Sequence, residues 1–337
     1  KFAWLVHLHK IGSILLQDNF ARQFSYVRLS LTERCNFKCQ YCLPNGYQAC
    51  SPEPALNLQE ISNLVAGLVE LGIWKIRLTG GEPTLRRDLL EIMQLIRSFP
   101  QIKTLAITTN AYKLGAHLDE YIAAGLTNLN ISMDSLNRER FHQITQVDKL
   151  DAIQHTIQQA LASNLQQVKI NAVLIKHSLD ELEDFLTYIQ DKALSLRFIE
   201  LMQTSDNQAY FQENYVSAEV LRAKLKALGW IEQPRQYGAG PAIEFSQPNS
   251  IGTVGIIAPY SKNFCSSCNR LRFTQDGALR LCLFGDENYS LRHLLQNPNQ
   301  REELKASIIK CMGNKSIGHQ LAQAKTGNIM NLSNVGG

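Results

Sequence analysis

Between Tyr26 and Glu200 the hydrophobic and polar positions repeat one unit, a short β-rich run, a loop and an amphipathic helical stretch. Repeated units of this kind are typical of parallel strands connected by helices. The apolar runs predict six strands, at Tyr26–Leu31, Lys75–Thr79, Thr104–Thr108, Asn128–Ser132, Val168–Val173 and Ser195–Glu200. The pattern therefore predicts an α/β fold.

The helical stretches between these strands have recognisable ends. Leu58–Leu71 follows Asn57, a good N-cap residue, and stops at Gly72, while Leu114–Ala124 stops at Gly125. The pattern predicts further helices at Leu85–Arg97, Leu150–Ala162 and Leu179–Ile189.

In a β/α barrel, functional residues lie just beyond the carboxyl ends of the strands. Chemically versatile side chains and glycines follow the predicted strands at Thr32–Cys35, Gly80–Pro83, Thr109–Asn110, Met133–Ser135 and Met202. We expect the functional site at that end.

The repeat breaks after Met202. A polar stretch, 203–215, precedes a helix predicted at Ala218–Leu228 and then short strands separated by Gly, Pro and Ser. The predicted domains are residues 17–215 and 216–337, after an extension of uncertain origin at 1–16. Within the second, Asn269–Phe284 predicts a hairpin that turns at Asp276–Gly277.

Composition narrows the class of protein. The 337 residues are 45% hydrophobic and 19% charged, with a net charge of +4, which is ordinary for a globular chain and too mild for general nucleic-acid binding. No apolar run reaches membrane-spanning length, so we expect no membrane association. Of the eight cysteines, six fall in two close groups, which favours metal binding in a reducing compartment, the cytoplasm. We expect Cys50 and Cys311, outside both groups, to be structural or incidental.

Cys35, Cys39 and Cys42 form the first triad, spaced C-x3-C-x2-C, directly after a predicted strand. Three thiolates can bind three irons of a 4Fe-4S cluster and leave the fourth iron for another ligand. A zinc site normally has four protein ligands, and no fourth Cys or His lies in this loop. The spacing favours the cluster, with zinc as the alternative.

This triad, with Tyr41 before its last cysteine and a Gly-Gly-Glu-Pro segment at 80–83, resembles the radical S-adenosylmethionine superfamily. The resemblance implies that the free iron binds S-adenosylmethionine and that its cleavage yields a 5'-deoxyadenosyl radical. The implied contacts to S-adenosylmethionine are Tyr41, Gly81, Ser132 and Met202. We expect Gly80 and Gly81 to admit a ligand close to the backbone, and Glu82 to accept a hydrogen bond from an ammonium group.

Cys265, Cys268 and Cys282 form the second triad, spaced C-x2-C-x13-C. The predicted hairpin would return Cys282 towards Cys268, so one shared metal site is compatible with the long spacing. The pair at 265–268 also fits half of a zinc ribbon with surface arginines, whereas three cysteines without a fourth ligand favour a second open cluster.

Both triads together, with RLTGGEPTLRRD, SMDSL, LRFIELM, FCSSCNRLR and a terminal NLSNVGG, resemble the GTP 3',8-cyclase family, the radical S-adenosylmethionine enzymes that begin molybdenum cofactor biosynthesis. This resemblance implies an incomplete (β/α)6 barrel and a C-terminal α+β region that carries a second 4Fe-4S cluster, whose open iron binds the purine of GTP. The implied contacts to GTP are Arg28, Arg77, Thr108, Lys169, Arg270, Leu271 and Arg272. Gly336 and Gly337 would reach the active site and assist catalysis.

The same resemblance implies several partners. They are GTP, an electron donor such as flavodoxin or ferredoxin, the downstream cyclic pyranopterin synthase and a possible second copy of the chain. Two other classes stay open from the residues: a peptide-modifying radical enzyme with auxiliary clusters, and a non-enzymatic cluster- or zinc-binding protein.

Overall fold

A single mixed sheet with helices packed against it organises the chain in the computed structural model, which describes residues 15–48, 53–235, 238–327 and 329–333. The strands are β1 (Tyr26–Ser30), β2 (Lys75–Thr79), β3 (Thr104–Thr109), β4 (Asn128–Ser132), β5 (Gln167–Leu174), β6 (Leu194–Glu200), β7 (Ile231–Glu232), β8 (Ile243–Ser246), β9 (Thr253–Ile257), β10 (Arg270–Phe273), β11 (Ala278–Arg280) and β12 (Tyr289–Ser290). The α-helices are α1 (Leu58–Glu70), α2 (Leu89–Arg97), α3 (Leu118–Ala123), α4 (Arg138–Thr145), α5 (Leu150–Ala162), α6 (Lys176–Asp180), α7 (Leu182–Ile189), α8 (Gln208–Asn214), α9 (Ala218–Ala227) and α10 (Arg301–Met312).

The sheet order is β12-β11-β10-β1-β2-β3-β4-β5-β6-β9-β8-β7. Strands β1 to β6 are parallel and adjacent, which confirms the predicted α/β fold with six β/α units. The later part of the chain adds a parallel strand at each edge, β10 beside β1 and β9 beside β6. One sheet thus includes strands from both sides of the predicted domain boundary.

Alternate residues of the parallel strands face opposite sides of the sheet. One side is apolar and packs under the helices, with fully buried side chains at Val27, Ile76, Leu105, Leu129, Ile170 and Leu196. The other side carries Arg28, Arg77, Thr108, Asn130 and Lys169, which line one common cavity. Side chains from strands so far apart share a cavity because the sheet curves around it, as in an incomplete barrel.

Helix α1 begins with the predicted cap. Asn57 accepts a hydrogen bond from the Glu60 backbone N–H at 2.9 Å, and the Glu60 carboxylate accepts from the Asn57 backbone N–H at 2.9 Å. The chain leaves the helix at Gly72, whose φ is +84°. Glu60 also pairs with Arg292 at 2.8 Å, which links α1 to the C-terminal region.

Several boundaries differ from the predictions. The stretch 114–124 is a short 3-10 turn followed by α3, and 179–189 is divided between α6 and α7. The sequence patterns did not predict α4 or α10. The hairpin of β10 and β11 is confirmed, with φ of +84° at Gly277 in its turn. In the described ranges, no helix is long and apolar enough to cross a membrane.

Candidate active site: two adjoining cavities

The first cavity lies at the carboxyl ends of β1 to β6 and encloses about 1010 Å³. The first triad and all four predicted S-adenosylmethionine contacts line it, together with Gly80, Glu82, Asn110, Asp134, Val173 and Ser333. The sequence-predicted members of this site therefore lie together.

The two glycines after β2 pack against the loop that carries the first triad. A Cβ at Gly80 would lie 2.3 Å from the Thr32 carbonyl oxygen, and a Cβ at Gly81 would lie 2.3 Å from the Arg34 carbonyl oxygen. The Gly81 N–H donates to Thr32 O at 2.7 Å, and the Glu82 N–H donates to Arg34 O at 2.7 Å. We expected these glycines to let a ligand come close to the backbone. They are also needed without any ligand, because a side chain at either position would clash with the backbone of the triad loop.

Glu82 lies beneath this loop with 1% of its surface exposed. Its carboxylate accepts from the Thr109 hydroxyl at 2.6 Å, the Asn110 N–H at 2.7 Å and the Thr84 N–H at 3.0 Å. Burial raises the pKa of Glu82. These bonds join the ends of β2 and β3. Glu82 therefore has a structural role in addition to the expected hydrogen bond to an ammonium group.

Tyr41 is held from two directions. Its hydroxyl donates to the Asp134 carboxylate at 2.8 Å, and its carbonyl accepts from the Asn207 side-chain amide at 2.8 Å. Asp134 also accepts from the Val173 N–H at 2.8 Å, and burial raises its pKa to about 6. Sequence reasoning singled out the Met133–Ser135 segment without assigning this contact.

The cysteines of the first triad are half-buried at the surface of this cavity. Burial raises the pKa of Cys35 to about 11 and that of Cys42 to about 12, and it raises the pKa of Cys39 as well. Thiols in such surroundings ionise when a metal centre supplies positive charge. Among the described residues, no group of three His, Cys, Asp or Glu side chains is placed to bind a single metal ion. Ligands to one zinc lie about 2.3 Å from it and crowd together, whereas a cubane cluster spreads its three cysteines over separate irons.

The second cavity encloses about 1170 Å³ on the concave side of the sheet. The second triad lines it, and so do seven basic side chains, Arg28, Lys75, Arg77, Lys169, Arg197, Arg270 and Arg272. No Asp or Glu occurs among its described lining residues. The cavity therefore suits an anion with several charges.

Three of these arginines are neighbours across the sheet. Arg272 of β10 pairs in register with Arg28 of β1, and Arg28 pairs with Arg77 of β2. Like charges directly opposite each other destabilise a sheet, so an anion that contacts all three would relieve the repulsion. Burial lowers the pKa of Arg77 to about 10 and lowers that of Arg272 as well.

Tyr26 lies among the same cations. Lys75 Nζ is 5.1 Å and the Arg77 guanidinium 5.8 Å from the centre of its ring, and Arg28 Nε donates to its oxygen at 3.3 Å. Burial opposes ionisation of the phenol, but the charges of Arg77, Arg28 and Lys75 outweigh it and lower the pKa of Tyr26 to about 7.

Lys169 faces the same cavity. Burial and the charges of Arg197 and Arg77 lower its pKa to about 6. Arg197 is partly neutralised by Glu244 at 2.5 Å. Five buried polar atoms that belong to residues of this cavity have no hydrogen-bond partner within the described ranges: Arg77 Nε, Asn130 Oδ1, Asn171 Oδ1, Arg197 Nε and His319 Nε2. Buried polar atoms normally have partners, so these atoms fit a cavity that binds a polar ligand.

The second triad lies at one end of this cavity. Arg22 donates to the Cys265 carbonyl at 2.9 Å and pairs with Asp18 at 2.7 Å, which holds the cysteine loop. Burial opposes ionisation of Cys268, but the charges of Arg270 and Lys315 outweigh it and lower its pKa to about 7. Leu271 does not face the cavity, because its side chain is fully buried in the core.

The two cavities adjoin. Thr108, Asn171, Ile199 and Met202 line both of them. A molecule in the second cavity can therefore contact one in the first across these four residues.

The structure leaves one predicted pair outside its description and adds residues that were missed. Gly336 and Gly337 lie outside the described residues, while Leu332 and Ser333, shortly before them, line the first cavity. The additional residues of the second cavity are Tyr26, Lys75, Asn130, Asn171, Arg197 and His319. The sequence feature that could have indicated some of these residues is the presence of basic residues at alternate positions of a buried strand, as at Lys75 and Arg77.

Two family models match the chain, each over a different region. Residues 29–189 match the model of the Radical SAM superfamily, and residues 194–321 match that of Molybdenum Cofactor Synthesis C. SuiB of Streptococcus suis, solved with S-adenosylmethionine, shares the fold with a TM-score of 0.56 and 12% identity over 85% of this chain and 69% of that one. SuiB bound to its precursor peptide gives a TM-score of 0.58 at 13% identity, over 92% and 75% of the two chains.

Similarity to curated relatives is much higher. The GTP 3',8-cyclase of Synechococcus elongatus is 49% identical over 96% of this chain and 100% of its own. The GTP 3',8-cyclase of Stenotrophomonas maltophilia is 50% identical over 96% and 99%. That of Pasteurella multocida is 43% identical over 98% and 99%. With its two cysteine triads on adjoining cavities, the chain belongs to the GTP 3',8-cyclase family of radical S-adenosylmethionine enzymes.

Proposed function

We propose that this protein converts GTP to 3',8-cyclo-7,8-dihydro-GTP, the first step of molybdenum cofactor biosynthesis. The observation that carries the proposal is the pair of adjoining cavities, one lined by thiols and the other by thiols and seven basic side chains. Such an arrangement brings a hydrogen-abstracting group and an anionic nucleotide together while the surrounding protein excludes water.

Two 4Fe-4S clusters and S-adenosylmethionine are the cofactors of this reaction. Cys35, Cys39 and Cys42 would ligate the first cluster, and Cys265, Cys268 and Cys282 the second. When bound, the first cluster and S-adenosylmethionine would supply a 5'-deoxyadenosyl radical for removal of the C3' hydrogen of GTP.

The residues of the first cavity bind and orient S-adenosylmethionine in this proposal. Tyr41, Gly81, Ser132 and Met202 are its contacts. The bonds of Tyr41 to Asp134 and Asn207 fix the position of that contact before the ligand arrives. Leu332 and Ser333 line the same cavity, which supports a role for Gly336 and Gly337 at the reaction site.

The residues of the second cavity bind GTP. Arg28, Arg77, Lys169, Arg270 and Arg272 neutralise the triphosphate through charge-assisted hydrogen bonds. Thr108, which also accepts a bond from Arg77 at 3.2 Å, lies on the border with the first cavity and contacts the nucleotide there. Leu271, between Arg270 and Arg272, is not among the residues that line this cavity, and its side chain is in the core.

The proposal extends to the surroundings of the enzyme. An electron donor such as flavodoxin or ferredoxin reduces the first cluster, and the downstream cyclic pyranopterin synthase consumes the product. We place the working enzyme in the cytoplasm, with a second copy of the chain as a candidate partner.

Anaerobic reconstitution tests the function. Two cubane clusters predict about eight irons per chain, and incubation with S-adenosylmethionine, reductant and GTP should release 5'-deoxyadenosine in amounts that depend on GTP. Bound zinc without cleavage of S-adenosylmethionine contradicts the proposal. A precursor peptide that replaces GTP as the trigger of cleavage would instead favour a peptide-modifying enzyme.

A further inference from the structure

His319 is a residue of the second cavity to which neither motif assigns a role. Its ring lies between two phenylalanines, with ring centres 5.8 Å from Phe264 and 5.4 Å from Phe284. All three side chains line the cavity beside the second triad. The position therefore combines flat apolar surfaces with one polar ring.

Hydrogen bonding fixes which ring nitrogen carries the proton. The Leu321 backbone N–H donates to His319 Nδ1 at 3.3 Å, so Nδ1 must keep its lone pair. A neutral imidazole that accepts at Nδ1 carries its hydrogen on Nε2. His319 therefore presents one N–H donor on the opposite side of the ring.

That donor is unused within the described part of the chain. The Nε2 atom is buried and has no hydrogen-bond partner there. A buried N–H without a partner is unfavourable, and a ligand with an acceptor atom would remove this cost.

The segment that carries His319 is fixed relative to the second triad. Arg22 donates to the carbonyls of Ser316 at 2.7 Å, Ile317 at 2.8 Å and Cys265 at 2.9 Å. The His319 backbone N–H also hydrogen-bonds the Cys265 sulfur. The Nε2 donor thus has a set position beside the proposed cluster.

We infer that His319 positions the substrate by donating a hydrogen bond from Nε2 to an acceptor atom of the guanine base, with Phe264 and Phe284 against the base or its edge. This inference rests on the proposed function and assigns the recognition of the base to a residue separate from the arginines that bind the triphosphate. His319 is a specificity-determining residue, and the triphosphate binds independently of it.

Anaerobic binding to the reconstituted holoenzyme separates the two roles, with GTP and inorganic tripolyphosphate as probes. His319→Phe keeps a ring between the phenylalanines but removes the donor, and we expect its Kd for GTP to rise about threefold to tenfold. Its Kd for tripolyphosphate should stay at the wild-type value. His319→Gln, which retains an N–H donor, should recover part of the GTP affinity.

Iron content equal to wild type in both variants checks that the fold and the clusters are intact. GTP affinity of His319→Phe within twofold of wild type overturns the inference, and so does an equal loss for GTP and tripolyphosphate. A wild-type holoenzyme that binds tripolyphosphate no more weakly than GTP also overturns it. A wild-type holoenzyme that binds neither probe contradicts the proposed function itself, which distinguishes the two failures.

Discussion

The two cavities contain the same kind of metal ligand in opposite electrostatic surroundings. The first has the buried carboxyl groups of Glu82 and Asp134 and, among its described lining residues, no Lys, Arg or His. The second has seven basic side chains and, among its described lining residues, no Asp or Glu. The first therefore suits a ligand that carries positive charge, such as a sulfonium with an ammonium group, and the second suits a polyphosphate.

The thiols reflect this difference. Burial raises the pKa of Cys42 to about 12 in the first cavity, whereas in the second the charges of Arg270 and Lys315 overcome burial and lower the pKa of Cys268 to about 7. Three cysteines in each place thus do not make equivalent sites. The proposed separation of radical generation from substrate binding therefore rests on the charge around each triad more than on the triads themselves.

The largest expected effect comes from removing one ligand in each cavity. Cys282→Ser should abolish GTP turnover and keep the cleavage of S-adenosylmethionine that occurs without GTP, because the first triad is unchanged. Cys39→Ser should abolish both, since cleavage requires the first cluster. Product and 5'-deoxyadenosine, quantified by chromatography, measure the two activities.

Cys311→Ser is the matched control, because Cys311 lies in the core at the end of α10, away from both cavities. It should keep both activities. Loss of cleavage in Cys282→Ser together with cleavage retained in Cys39→Ser would reverse the assignment of the two triads.

Arg77→Met tests the charge of the second cavity. Because Arg77 is buried in register with Arg28, its loss should weaken GTP binding by about 2–5 kcal/mol, at least a thirtyfold rise in Kd. Affinity for S-adenosylmethionine should not change. Anaerobic titration calorimetry with each ligand measures both.

Arg138→Met is the control for a lost surface charge, since Arg138 is exposed and pairs with Asp148 at 2.7 Å. It should bind GTP like wild type. Equal losses of GTP affinity in both variants, or a loss of S-adenosylmethionine affinity in Arg77→Met, would show that charge acts at long range and that the cavities are not separate.

Gly81→Ala and Gly240→Ala compare the backbone of the two cavities. A Cβ at Gly81 meets the Arg34 carbonyl at 2.3 Å, whereas the nearest atom to a Cβ at Gly240 is Arg197 Nη1 at 3.7 Å. Gly81→Ala should therefore lose about 1–3 kcal/mol of unfolding free energy and retain less iron. Gly240→Ala should match wild type in thermal unfolding and in iron content. Equal stability of the two variants would mean that the loop of the first triad adapts easily.

Gly81 also shows which features of the structure the sequence alone could predict and which it could not. Local patterns predicted all six strands to within one or two residues, because each is a buried apolar run bounded by turn residues. The neighbours of the first triad followed from its position after a strand, and those of the second from the predicted strand with Arg270 and Arg272 that comes directly after Cys265 and Cys268. The contact between Gly81 and Arg34, by contrast, depends on how two loops pack, which no local pattern contains.

Pairing between strands that are distant in the sequence explains why other parts of the site were not predicted. The places of β9 beside β6 and β10 beside β1 are set by the closure of the curved sheet around the cavity. In their local sequence, Tyr26 and Arg197 cannot be distinguished from ordinary strand residues. Only the register across the sheet brings them into the cluster of cations.

The smallest expected effect concerns the free energy of unfolding, which the burial of a lysine in that cluster lowers. Lys169 has a folded-state pKa of about 6 against an ordinary 10.5, because burial and the charges of Arg197 and Arg77 oppose its protonation. Between these pH values the unfolded chain holds the proton and the folded chain does not, so this group makes stability rise with pH. At pH 7 it therefore destabilises the free enzyme.

Lys169→Met should accordingly raise the unfolding free energy at pH 7 by about 0.5–2 kcal/mol while it weakens GTP binding. The gain should shrink as the pH approaches 10, where the unfolded lysine also loses its proton. Denaturant titrations across this range measure it, with the exposed Lys176→Met as a control that should show no such gain. A gain that grows as the pH rises would contradict a lowered pKa of Lys169 in the folded enzyme. Stability gained with affinity lost would mean that burying Lys169 among other basic side chains costs stability in the free enzyme and serves to bind the anionic substrate.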